Sequence, residues 1–237
     1  MSNHYQDPIS RASVSAINID QGLRSYMIKI YNTMTIGLSI TGLVAYFIST
    51  QPQIMNAIFA SPLAYVVMFA PLIMVFLISA KLHTFEVGTL RSLFLVYATL
   101  MGVSLSAIFL AYTGESIVRV FFITSSMFLT TSIWGYTTRA DLTKMGSFLM
   151  MGLFGIIIAS IVNIFMQSTV LDFTISAIGV VVFTGLTAYD SQRLKEIYDE
   201  RDSSDTLSRK VIFGALNLYL NFINLFLSLL RLFGDRR

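Results

Sequence analysis

Asp190 is the residue in this chain best placed to do chemistry. It stands in the string TAYDSQRLKEIYDERD, where a long apolar stretch gives way to charge. A carboxylate at such a boundary holds its proton by competition, because desolvation disfavours the anion while a nearby cation or donor favours it. Two readings follow: a proton-sensitive latch at the mouth of a helical bundle, or an interfacial aspartate that opens a solvated loop, the commoner fate of charges at span ends. A second polar set lies downstream in VIFGALNLYLNFINLFLSLLRLF (211–233), where Asn217, Asn221, Asn224 and Ser228 recur at intervals of four, three and four. That spacing puts all four on one helical face and leaves Leu, Ile and Phe on the others. An amide facing hydrocarbon without a partner costs several kcal/mol, so the stripe must face protein or enclosed water. It either lines a water or ion path or makes interhelical hydrogen bonds worth about 0.6 kcal/mol each. Lys81 and Arg91 are candidate cationic partners for Asp190, although basic side chains at span ends more usually snorkel to lipid phosphates.

Other chemistries are poorly served. The chain has no cysteine, so it forms no disulfide, thiolate nucleophile or zinc-cysteine site. His4 and His83 form no ligand pattern with acidic neighbours, and the sequence defines no metal-ligand set. HExxH, GxSxG, GxGxxG and P-loop motifs are absent. Asp172 and Asp190 lie roughly 27 Å apart along a helix at 1.5 Å per residue, too far for an aspartyl dyad. The expectation is a protein that is not an enzyme and carries no resident cofactor.

The elements that position these residues are membrane spans. Of 237 residues 55% are hydrophobic and only 12% charged, with mean hydropathy +0.71, far from the roughly 25% charge of a soluble domain. A polar N-terminal tail (1–26) without a signal-peptide core precedes a single transmembrane domain (27–237). Spans are predicted at 27–48, 62–80 (with Pro71 as a kink), 92–112, 116–136, 145–166, 173–189 and 211–233, giving an all-α fold of seven helices. Hydroxylated residues of the first span, and Gly152, Gly155 and Ala159 of the fifth, are expected at helix contacts. The segments 49–61 and 190–210 read as loops.

Basic residues set the orientation. With the tail in the cytoplasm, 12 of the 16 Lys and Arg fall on that side, and Arg119, Arg231, Arg236 and Arg237 on the other. The positive-inside rule then puts the N-terminus in. The terminal arginines are discordant: the last helix either crosses, the favoured reading, or re-enters and returns. The basic balance belongs to this orientation pattern, so no nucleic-acid partner is expected.

The strings FTGLTAYDSQRLKEI and ALNLYLNFINLFLSLLRLFG resemble the Bax inhibitor-1 family, also called the transmembrane BAX-inhibitor-motif family, in its bacterial branch. The resemblance implies seven helices with the C-terminal one central and surrounded by the other six, in a bacterial inner (plasma) membrane. It implies a pH-sensitive calcium leak, with Ca2+ as transported ion and Ca2+ and H+ as partners beside the lipid bilayer. Family members commonly carry two aspartates that share a proton and close the pore against a basic residue of the second span. Asp190 matches the first aspartate. The second falls on Asn221, and Lys81 is the nearest basic candidate. An Asp and Asn pair is a single titrating site, so a two-aspartate switch does not operate unchanged. Bacterial relatives that restrain a membrane-bound quality-control protease suggest the alternative: a non-transporting regulator that binds another membrane protein.

Overall fold

The computed structural model describes the backbone of residues 8–237 and the side chains from residue 21 onward, so His4 lies outside the described residues. Its elements are α1 (Pro8–Ser49), α2 (Pro52–Phe59), α3 (Leu63–Lys81), α4 (Val87–Leu105), α5 (Ile108–Ala111), α6 (Gly114–Thr137), α7 (Thr143–Met166), α8 (Thr169–Glu196) and α9 (Ser204–Phe233). In all, 85% of the structure is helical and no strand occurs among the described residues. Within hydrocarbon the backbone must satisfy its own polar groups, and a helix does so within one segment. Side-chain acceptors start three of these helices: Thr113 takes the amide of Ser116, Ser168 that of Leu171 and Ser203 that of Thr206. Asp141 accepts the amide of Thr143 at 2.8 Å at the start of α7. Bonding from the Thr143 side chain and amide holds the Asp141 carboxyl below its ordinary range.

Seven segments are long and apolar enough to cross a membrane, and they differ sharply in burial. In α9, 72% of the most apolar window is enclosed, against 33% or less in every other span and 6% in α7. The C-terminal helix is therefore the core, with α8, α1, α6 and α4 packed directly on it. α7 packs on α8, and α3 packs on α4. Tyr219, fully buried near the middle of α9, joins three helices: its hydroxyl donates to Thr41 Oγ1 at 2.7 Å, and Thr41 in turn donates to the Ala98 carbonyl at 2.8 Å. Phe94 and Tyr97 meet its ring edge-on at 6.1 and 5.3 Å. On another side Phe121 and Phe128 of α6 flank Phe222 at 5.6 and 5.5 Å.

Several boundaries depart from the sequence reading. The helix of the first span begins at Pro8, within the segment that reads as a polar tail. The loop expected at 49–61 holds α2, and the third span breaks after Leu105 into the short α5. The polar segment 190–210 is mostly helical, because α8 continues to Glu196 and α9 begins at Ser204. Of the hydroxylated residues expected at helix contacts, Thr33, Thr35 and Ser39 donate instead to carbonyls of their own helix four residues back, whereas Thr41 bonds other helices.

The last helix crosses the bundle. At its start Arg209 donates to the carbonyls of Leu82 and Phe85, in the α3 to α4 connector. At its end Asp235 receives the Thr113 amide through its carbonyl at 3.0 Å and meets Arg119 at 2.7 Å, while Arg231 and Arg236 approach Asp172 at 3.9 and 3.7 Å. The terminal arginines thus sit at the opposite end of the bundle from the basic connectors, each pair of ends linked by α9.

Candidate functional site

The site is built where α8 leaves the apolar layer. Asp190 sits one residue beyond Tyr189, whose ring lies over Gly146 of α7 so closely that an added Cβ there would stand 2.4 Å from it. Glycine at that position is what lets α7 seat against α8 beside the aspartate. Gln192 fixes the other side: its Nε2 donates to the Ala140 carbonyl at 2.7 Å and its Oε1 accepts the Leu142 amide at 2.9 Å. Lys195 donates to the Tyr136 carbonyl at 3.0 Å and stands over that ring. The α6 to α7 connector is thereby tied to the turns of α8 that carry Asp190.

Asn221 of α9 faces this carboxylate. Its Nδ2 donates to Asp190 Oδ2 at 2.7 Å, in the range of a hydrogen bond to a charged acceptor. Asp190 and Asn221 border a cavity of about 510 Å3 between α7, α8 and α9. Asn217 and Asn224 line it too, as does Arg193, one helical turn beyond Asp190. Its apolar wall includes Met150, Leu153, Phe183, Leu186 and Phe213. Asn224 directs its Nδ2 to the Leu220 carbonyl at 2.8 Å, which leaves its amide oxygen free of that bond. Among the residues lining the cavity, Asp190 is the one carboxylate and Arg193 the one cation.

The sequence-derived set is therefore divided. Asp190, Asn217, Asn221 and Asn224 come together on one cavity. Ser228 continues the same face of α9 but is buried against Gly179 of α8, where an added Cβ would stand 2.6 Å from its Oγ. Lys81 is not brought to Asp190: it is exposed at the end of α3, a helix that packs on α4 and α2. Arg91 faces a different cavity, between α1, α4 and α9. The cation that does share the site is Arg193, in a segment whose charge makes it read as loop. The signal was present in the uninterrupted run of helix formers SQRLKE after Asp190, which carries the helix on and sets Arg193 three residues ahead on the same face.

Comparison with known proteins decides the family. The profile of the family described as "Inhibitor of apoptosis-promoting Bax1" matches residues 23–237. The chain belongs to the Bax inhibitor-1 family. Among its Bax inhibitor-1 relatives, Inner membrane protein YbhL of Escherichia coli is 42% identical over 228 residues, covering 95% of this chain and 97% of that protein. A Caulobacter vibrioides protein is 43% identical over 241 residues, covering 97% and 95%, and a Rickettsia prowazekii protein 45% identical over 218 residues, covering 92% of each. The match takes in all seven spans, so the central α9 and the Asp190 to Asn221 contact described above belong to a Bax inhibitor-1 bundle.

Proposed function

We propose that this Bax inhibitor-1 protein provides a passive pathway for cations, of the calcium-leak kind, with Asp190 as its proton-sensitive element and α9 as its wall. The observation that carries the reading is the 2.7 Å contact of Asn221 Nδ2 with Asp190 Oδ2 on a cavity that the amides of Asn217 and Asn224 also line. Carboxylate and amide oxygens are the ligands that hard divalent cations such as Ca2+ accept. One carboxylate, with Arg193 on the same wall, attracts a cation without trapping it, which suits a leak better than a storage site.

The pairing of aspartate with asparagine has its own consequence for gating. An amide carries a donor at one end and an acceptor at the other, so Asn221 serves an ionised Asp190 through Nδ2 and a protonated one through Oδ1 after a half-turn of the amide. The contact then survives both protonation states. What changes with pH is the charge on the path: it is negative when Asp190 is ionised and absent when Asp190 is protonated. Cation passage is therefore expected to be higher above the titration midpoint of Asp190 and lower below it.

Reconstituted vesicles loaded with a calcium dye test this reading directly. Folded protein should raise Ca2+ entry above that of empty vesicles, and the excess should vary with pH. Entry equal to that of empty vesicles from acidic to alkaline pH removes the claim.

A further inference from the structure

A second cavity, of about 680 Å3, lies at the other side of the first turns of α9, between α1, α4 and Tyr198 of the α8 to α9 connector. It falls in the size range of about 300 to 1,000 Å3 typical of ligand sites. Its walls divide by chemistry. Ile36, Phe94, Leu95, Leu207, Val211 and Ile212 make an apolar floor, and Phe94 and Ile212 are each 1% exposed. Its polar groups include Ser25, Ser204 and Ser208 together with two cations, Lys29 of α1 and Arg91 of α4. No carboxylate lines it. Neither cation takes part in an ion pair among the described residues.

One wall also carries a buried polar group that bears on what the cavity would take. Tyr26 is 3% exposed and lines the cavity, and its buried hydroxyl has no hydrogen-bond partner among the described residues. A buried donor left unmatched is costly, so an oxygen-rich group in this space would supply the missing acceptor. The cavity lies toward the end of the bundle where Arg209 reaches the α3 to α4 connector and the apolar spans give way to charged connectors. Two cations above an apolar cleft at that depth match an anionic headgroup with its acyl chains below, the arrangement of basic pockets between transmembrane helices.

We propose that this cavity is a specific site for one anionic phospholipid, whose phosphate is held by Lys29 and Arg91 and whose chains run along Phe94, Leu95 and Val211. The site is separate from the Asp190 cavity and does not depend on the transport reading. Native mass spectrometry of the full chain, released from micelles containing phosphatidylglycerol or phosphatidylcholine, provides the test. The unaltered chain should retain one phosphatidylglycerol and show no such preference for phosphatidylcholine. The double variant Lys29→Gln with Arg91→Gln should weaken that retention about thirtyfold, the effect of removing two basic side chains near a charged headgroup. Both side chains are exposed, so the variant should fold. Lys29→Arg with Arg91→Lys should retain the lipid, and so should the control pair Arg139→Gln with Lys144→Gln, which alters basic residues of the same bundle end. Equal loss in the control pair would mean an unspecific lipid annulus, no retained lipid in the unaltered chain would mean that no such site exists, and either result overturns the proposal. Displacement of the lipid by millimolar inorganic phosphate would overturn it as well, since the apolar cleft would then contribute nothing.

Discussion

Asp190 and Asn221 form a pair in which only one member titrates, and two substitutions separate the roles. Asp190→Asn removes the one carboxylate lining the cavity. In dye-loaded vesicles the variant should lose its pH response and pass Ca2+ more slowly at neutral pH; a profile that keeps its shape would place the response elsewhere. Asn221→Asp sets a second carboxylate against the first at hydrogen-bonding distance. Two carboxylates so close titrate as a coupled pair, and the pH profile of flux should therefore broaden into two steps. A single step at the original midpoint would mean that the two side chains do not communicate. Lys81 should be indifferent in the same assay, because it is exposed at the end of α3 and another cation, Arg193, occupies the cavity wall.

At the scale of elements, glycines mark where helices approach most closely, and the structure separates those that matter from those that do not. A Cβ on Gly135 of α6 would stand 2.2 Å from the Ala188 carbonyl oxygen of α8, a contact with backbone that no rotamer change relieves. Gly135→Ala should therefore cost about 1 to 3 kcal/mol as α6 is forced from α8. Gly155 has open space where its Cβ would be, and Gly155→Ala should be neutral or stabilise by up to about 1 kcal/mol through helix propensity. Thermal unfolding in detergent measures both, and equal effects would show that the α6 to α8 interface yields freely. Sequence spacing had placed Gly152 and Gly155 together on a contact face, yet only Gly152 has a neighbour, Val182, near its missing Cβ. Small residues tell which helices can approach, and a lipid-facing stripe looks the same. The spans themselves were legible because twenty apolar residues have few other fates. The extensions of α8 and α9 into water were not, since helix formers such as Gln192 and Lys195 carry no hydropathy signal that separates helix from loop. For the same reason Asp190 and Asn221 could be placed in register while Arg193 was lost. For Lys81 the reason is different: charge counting assigns a side of the membrane, and it is silent on which helices are neighbours there.

For the whole molecule, α9 fixes a topology that chemistry can check. Its first turns bond the α3 to α4 connector, and the residues after its last turn bond the region of Thr113 and Ser116, so the two ends of the bundle are unambiguous. The distribution of Lys and Arg predicts that the end holding Arg201 faces the cytoplasm. Because the chain has no cysteine, single introductions label cleanly. In intact cells a membrane-impermeant maleimide should modify Glu115→Cys and reach Arg201→Cys only after permeabilisation; the reverse pattern would invert the protein. The central position of α9 also bears on how the molecule is made. Translation delivers it after the eight other helices, so those enter the bilayer before the rod on which α1, α4, α6 and α8 close has emerged. Until then Tyr219 is missing and Thr41 has no phenol to receive. A chain stopped short of residue 204 should insert its earlier spans and then be cleared by proteolysis, an assembly without its axle.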